Sequence, residues 1–341
     1  MTLPRTMRAA RLVGPGAFHL VEVERPEPGY GEVLLRVHAS GLCHSDLHII
    51  DGELGENYVL PLPVTLGHEI CGDVVECGPG VSGVEPGRRY AVFGAVGCGA
   101  CRYCRSGRDN LCTSGQTIGR RRDGGYADFV VVPARALVPV PDCVTAAEAA
   151  VATDAVLTGY HALLTVGRLR PGEGVALIGV GGLGQNAVQI AKAFGAVVLA
   201  LDKDARKRAL ARDLGADVVL GPDEVRSGVA LLDRPIDLVV DLVGTGQTLL
   251  LAQDLVARGG RIVLVGLAST AGTLRISPAA RNEVAILGSA WGTREELATV
   301  LDLIARGIIR PRVETYPLEE ILTWVERLRA GTVESRIALV P

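Results

Sequence analysis

Hydrophobic and polar positions change their rhythm near residue 150. Before it, short apolar runs (VLLRVHAS, GDVVECG, RYAVFG and ADFVVVP) are separated by Gly and Pro clusters, the pattern of an irregular β-barrel. From about 153 onward, strand-like and helix-like stretches alternate. GVALIG, AVVLALD, DVVL, DLVVDLVG, RIVLVG and VAILGS read as buried parallel strands, because both of their faces are apolar. LGQNAVQIAKAFG and ARKRALARDLG fall between them with helical spacing. Helical periodicity returns after 293 in REELATVLDLIARG and LEEILTWVERLRAG, and a strand-like RIALVP follows. The class expected is α/β, a β-barrel region joined to a doubly wound parallel sheet.

Composition narrows this little. The 341 residues are 48% hydrophobic and 21% charged, enough for two domains, and the net charge of −3 shows no basic field for nucleic acid. Arg120, Arg121 and Arg122 form a short run expected to be a solvated loop. The N-terminal MTLPRTMRAARLV lacks the apolar core of a signal peptide, and Gly, Asp or Lys interrupts the most apolar stretches. A soluble, cytoplasmic protein with no membrane partner is expected.

The cysteines add chemistry. Cys98, Cys101, Cys104 and Cys112 are spaced C-x2-C-x2-C-x7-C, dense enough to cage one tetrahedral zinc with four thiolates. Local disulfides or an iron–sulfur cluster are the alternatives, and disulfides between such close pairs would be strained. Cys71, Cys77 and Cys143 sit in apolar contexts and are expected to be buried small hydrophobes. Three distant stretches, GLCHSD, GHE and ATDAVLTGY, offer Cys43, His68 and Asp154 as ligands for a second zinc with an open fourth position.

GVGGLG then supplies Gly179, Gly181 and Gly184 at G-x-G-x-x-G spacing, with Gly182 and Leu183 inside the loop. The motif follows a strand, opens a helix and is trailed by Asp202 at the end of the next strand. That context suits a pyrophosphate at a helix N-terminus and a carboxylate on the adenosine ribose, so NAD is favoured over NADP.

GLCHSDLH, LGHEICGDVVECGPGV, the four-cysteine lobe, DGGYADFVVVP, TGYHAL, GVGGLG and the final strand occur in one order. In that order the chain resembles the zinc-containing medium-chain dehydrogenases/reductases, the alcohol dehydrogenase family, over essentially its whole length. The resemblance implies a GroES-like catalytic domain from 1–152 and 289–341, with a structural zinc lobe at about 94–114, and a Rossmann NAD-binding domain at 153–288. It implies two zinc ions per chain, NAD, a small alcohol or ketone as partner, and a homo-oligomer, dimer or tetramer.

Most members carry cysteine where this chain has Asp154, while a bacterial secondary-alcohol subgroup has aspartate there. A helix N-cap role for Asp154 stays open, and so does Glu69 as the third ligand, as in polyol dehydrogenases. Asp46 resembles the carboxylate that orients His68. Ser45 resembles the acceptor of the alcohol proton, with an ordinary turn serine as the alternative. His48 resembles the outer base of that relay, or else is an exposed helix histidine. His44 and Arg336 resemble the basic groups on the pyrophosphate, Thr158 the nicotinamide contact, and Lys207 the ribose lysine, unless it is a solvated helix charge. Leu60, Phe93 and Trp291 are the apolar pocket candidates and favour a simple alcohol over a polyol. A non-catalytic protein that binds NAD and zinc is the alternative of a different class.

Overall fold

The computed structural model describes residues 3–53, 60–225 and 229–341, and these form two compact units. One comprises Met1–Asp154, Thr293–Ala305 and Pro311–Pro341; the other comprises Ala155–Gly292 and Arg306–Arg310.

The first unit is built on a mixed seven-stranded sheet. Its central strand, Glu32–Leu42, pairs antiparallel with Glu69–Cys77, with Phe129–Pro133 and with Arg336–Val340. The C-terminal strand thus joins the sheet begun by the N-terminal half, in register Ile337 to Leu42 and Leu339 to Ser40. A three-stranded sheet begins with the hairpin Thr6–Gly14 and Ala17–Glu24. Leu12, Phe18, Leu42, Leu47, Tyr126, Trp324 and Leu339 form one apolar cluster of this unit, and Val33, Leu35, Ile70, Val92 and Val130 contribute to another.

The second unit holds six parallel strands. In sheet order they are Val218–Leu220, Val197–Leu201, Gly174–Ile178, Ile236–Asp241, Arg261–Leu264 and Ala285–Gly288. The chain therefore starts in the middle, runs to one edge, returns beside its first strand and proceeds to the other edge. That reversal is the switch point at which doubly wound sheets bind ligands beyond the carboxyl ends of the strands. Each strand matches an apolar run read from the sequence, and the Val, Leu, Ile and Ala residues of Gly174–Ile178 and Ile236–Asp241 are buried.

Residues 146–166 are helical throughout and apolar enough to cross a membrane by length and composition alone. Within the fold, 72% of that window is buried inside the protein, as in a core helix. The helix starts at a capping box in which Thr145 Oγ1 accepts from the Glu148 amide and Glu148 accepts from that of Thr145. Asp154 lies eight residues further on, in a π-helical turn spanning Ala152–Val156, so it is not an N-cap. Insertions of this kind re-aim a side chain within a helix and concentrate at functional sites.

Two expectations need correction. Cys143 lies exposed in a turn after Pro141, and Cys77 is only half-buried; Cys71 alone of the three is fully buried, where burial pushes its thiol up to about 12. The arginine run is not a solvated loop either. Arg122 Nη2 donates to Glu32 at 2.7 Å and to the Val131 carbonyl at 3.2 Å, Arg120 is half-buried, and only Arg121 is exposed.

Candidate metal centres and dinucleotide loop

Cys43 ends the long central strand and immediately precedes the helix His44–Ile50. His68 comes just before the paired strand that begins at Glu69. These elements and the π-turn bring donor atoms of Cys43, His68, Glu69 and Asp154 within 4.8 Å of one another. His68 Nε2 lies 3.2 Å from Asp154 Oδ2, and Cys43 Sγ lies 3.6 Å from the same oxygen. A tetrahedral zinc with ordinary bond lengths separates N from O by about 3.3 Å and S from O by about 3.5 Å. The three side chains therefore stand where one small ion would hold them.

The electrostatics agree. Burial opposes charge on His68, but Asp46, followed by Asp154 and Cys43, raises its pKa well above the usual range. The cluster favours a positive charge at its centre. Asp46 fixes the ring from behind. Its Oδ1 lies 3.2 Å from His68 Nδ1, while Oδ2 accepts from Tyr126 Oη at 2.6 Å and from the Cys43 amide at 3.0 Å. Burial would push this carboxyl up, yet His68, Tyr126 and Cys43 outweigh it and hold it below the ordinary value. With Nδ1–H donated to Asp46, Nε2 would offer its lone pair to a metal that takes the place of the proton there.

Glu69 is also fully buried, and Arg336 is its ion-pair partner. Burial pushes Glu69 up to about 7 against the pull of Arg336, and its Oε2 has no hydrogen-bond partner among the described residues. A Cβ at residue 41 would stand 2.0 Å from that oxygen, so Gly41 leaves the space that Glu69 occupies. Arg336, expected on a pyrophosphate, is thus committed to a buried carboxylate.

Around the helix, His44 is exposed and His48 half-buried, with ring centroids 6.1 Å apart. His48 Nδ1 lies 2.7 Å from Glu53 Oε2. The Ser45 hydroxyl accepts from Arg120 Nη2 at 2.8 Å, a contact that sequence reasoning missed. Tyr126 was missed as a site residue too, although it stands inside the quoted DGGYADF block. Leu60 is half-buried and packs on the apolar cluster containing Leu47 and Ile50, while Phe93 is 1% exposed and offers little open surface.

The four-cysteine lobe forms a second cluster. The Sγ atoms of Cys101 and Cys104 are 3.5 Å apart and those of Cys101 and Cys112 are 3.8 Å apart. A disulfide requires about 2.05 Å. The edge of a tetrathiolate zinc is about 3.8 Å, which fits. The Cys101 amide donates to Cys98 Sγ at 3.3 Å and that of Cys98 to Cys112 Sγ at 3.2 Å. Bonds from the Ala100 and Cys101 amides bring the Cys98 thiol down to about 6, close to the thiolate a metal needs.

In the second unit the strand Gly174–Ile178 turns through Gly179 at φ 94° into the helix Gly184–Ala193. A Cβ on Gly184 would meet the Gly179 carbonyl at 2.0 Å, so close packing excludes any side chain there. At Gly181 the same construction meets nothing within 4 Å. The protein's own packing leaves the backbone at 181 open, and that space suits the close approach of a pyrophosphate. Gly182 and Leu183 complete the loop, and Gly182 O accepts from Asn186 Nδ2 at 3.1 Å. Asp202 ends the adjacent strand region, its Oδ2 accepting from the Val180 amide at 2.8 Å and Oδ1 from that of Asp204 at 2.9 Å. Lys207 is half-buried on the following helix, Thr158 is buried, and Trp291 is half-buried at φ 55°.

Comparison with known proteins gives consistent likenesses. Residues 29–142 match the alcohol dehydrogenase GroES-like domain, and residues 182–306 match the zinc-binding dehydrogenase domain. An alcohol dehydrogenase of Geobacillus stearothermophilus is 38% identical over 95% of each chain. An NAD-dependent alcohol dehydrogenase of Sulfurisphaera tokodaii is 34% identical over 98% of this chain and all of its own. The acetophenone reductase of Geotrichum candidum, solved in complex with NAD, superposes with a TM-score of 0.91 at 40% identity, covering 100% of this chain and 99% of that one. Two metal-ligand clusters, a glycine turn at the switch point of a parallel sheet and relatives matched along their whole length lead to one conclusion: this chain belongs to the zinc-containing medium-chain dehydrogenases of the alcohol dehydrogenase family.

Proposed function

We propose that the protein is an NAD-dependent zinc alcohol dehydrogenase that interconverts a secondary alcohol and its ketone. The observation that carries this reading is the convergence of Cys43 Sγ, His68 Nε2 and Asp154 Oδ2 at the spacings of a tetrahedral three-donor site. Those three residues would hold the reactive zinc, and Cys98, Cys101, Cys104 and Cys112 a structural one. Gly179, Gly181, Gly182, Leu183, Gly184 and Asp202 would hold NAD, with Thr158 and Lys207 as further contacts. Bound there, zinc would supply Lewis acidity toward the alcohol oxygen and NAD a hydride acceptor.

The chain's own residues do the rest. Asp46 holds His68 in the tautomer that ligates. Ser45 takes the alcohol proton at Oγ. His48, with Glu53 on Nδ1, holds a proton near the end of the relay. Asp202 repels a 2′-phosphate and so selects NAD over NADP. His44, exposed at the start of its helix, is the remaining candidate for a phosphate contact, because Arg336 is engaged by Glu69. Glu69 supports the site through Arg336 and its unpartnered oxygen stands ready as a fourth donor.

The likeness to an acetophenone reductase, named for an aryl ketone, supports a ketone of that kind as substrate here. Pairing of two copies is part of the proposal: Ala285–Gly288 is an edge strand, and Leu267 and Ile276 of the same unit are exposed.

The test is NADH absorbance across ethanol, small secondary alcohols, aryl ketones run in reverse, and polyols, each with NAD and NADP. Secondary alcohols or aryl ketones should outperform ethanol, and NAD should be preferred at least about tenfold, since a carboxylate facing a phosphate is strongly unfavourable. Equal use of NADP would undo the reading of Asp202. A polyol turned over fastest would make the protein a polyol dehydrogenase, and no turnover with any class would make it a non-catalytic binder.

A further inference from the structure

Ser45 Oγ has a partner that the proton relay does not account for. Arg120 Nη2 donates to it at 2.8 Å. The base of Arg120 is held by its turn: the amides of Arg120 and Arg121 both donate to the Thr117 carbonyl, at 3.3 and 2.8 Å, and Gly119 donates to the Arg122 carbonyl at 2.9 Å. Arg122 is itself pinned to Glu32 and Val131. The guanidinium therefore reaches Ser45 from a braced turn 75 residues further along the chain.

We propose that Arg120 is a positioning residue for the proton transfer, orienting the Ser45 hydroxyl by occupying one of its two lone pairs. The inference rests on the reading of Ser45 as acceptor of the alcohol proton. A hydroxyl has one donor and two acceptor sites. A guanidinium has donors only and keeps its protons at any ordinary pH. With Arg120 on one lone pair, the Ser45 O–H cannot point toward Arg120. One lone pair remains for the incoming alcohol O–H, and one O–H remains to pass onward. The alcohol proton goes to Ser45 Oγ as the serine's own proton leaves for the next acceptor. One proton is moved, Arg120 gives up none, and this step oxidises nothing. Without Arg120 the hydroxyl rotor loses the donor that directs it.

The test is a double-mutant cycle in the native holoenzyme with Ser45→Ala, Arg120→Met and the pair. Arg120→Met keeps most of the aliphatic stem and removes every donor. It should lower kcat about ten- to a hundredfold, the worth of one charge-assisted hydrogen bond expressed in the transition state. NAD affinity and thermal midpoint should stay unchanged. In the Ser45→Ala background the same change should cost nothing further, because the partner is gone. Guanidinium salt at millimolar concentration should restore part of the Arg120→Met rate and none of the double variant's. An unchanged kcat in Arg120→Met, or losses that simply add, overturns the proposal. If Arg120→Met does not fold, Arg120→Lys carries the same cycle, since it keeps charge but loses the planar fork; additivity there is equally fatal. Native turnover in Ser45→Ala alone would instead refute the relay reading, whatever Arg120 does.

Discussion

Asp46→Asn is nearly isosteric, yet it forces a choice on the buried site. The native carboxylate accepts on both sides: Tyr126 Oη and the Cys43 amide bond to Oδ2, and His68 Nδ1 faces Oδ1. An amide has one acceptor oxygen. If that oxygen stays toward Tyr126 and Cys43, the amide NH2 faces His68, whose Nδ1 must then become the acceptor. The ring proton moves to Nε2 and the lone pair needed for zinc is lost. If the oxygen instead turns to His68, Tyr126 can redirect its hydroxyl to the Gly41 carbonyl, 3.0 Å away, but the Cys43 amide is left without an acceptor. An orphaned buried donor costs about 1–3 kcal/mol. That is close to the ~10–100-fold loss of metal affinity, about 1.4–2.7 kcal/mol, expected when a ligand's supporting carboxylate is removed. Competition against a chromophoric chelator should therefore resolve two zinc ions per chain in the native protein. In Asp46→Asn the weaker-held ion should shift by that factor, with the thiolate-held ion unchanged. Equal affinities at both sites in native and variant protein would refute the argument that tautomer control at His68 matters.

Asp154→Ala should lose one zinc equivalent and nearly all turnover, while NAD affinity stays within about a few-fold because the glycine loop belongs to a different compact unit; phenanthroline should likewise abolish native activity before the fold melts. Full zinc content and activity in Asp154→Ala, by metal analysis and NADH absorbance, would mean that Glu69 completes the site. Asp204 caps the helix Ala205–Asp213, accepting from the Arg206 amide at 2.8 Å, and bonds from the Arg206 side chain and amide bring its carboxyl down to about 2. Its folded value lies below the unfolded ~3.9, so its contribution is present above about pH 4 and fades as pH falls through about 2. Asp204→Ala should thus lower stability by about 1 kcal/mol near neutrality, with the gap to native closing in acid, as read from denaturation midpoints; a gap independent of pH would contradict it.

Much of this protein is written in local sequence. Apolar runs such as VALI and VVLAL reveal parallel strands because both faces of such strands are buried, and their short length, β-branched residues and flanking glycines carry that signal. The thiolate lobe is legible because all four sulfurs come from fifteen consecutive residues, Cys98 to Cys112, where spacing constrains geometry. The glycine loop is legible for the same reason: its strand, turn and helix are contiguous.

Contacts over long separations were not legible in this way. Asp154 could be read as a helix cap until the helix was seen to start at Ala146, with a π-turn rotating Asp154 toward Cys43 and His68. Arg336 carries the same charge facing a phosphate or a carboxylate. Only the pairing of the last strand with Glu32–Leu42 decided for Glu69, 267 residues away. In the sequence Arg120 is one of three arginines expected in a solvated loop, because charge alone says nothing about which guanidinium finds a half-buried acceptor. A residue's chemistry belongs to the sequence, but its partner is chosen by the sheet register and turns that bring distant segments within about 3 Å.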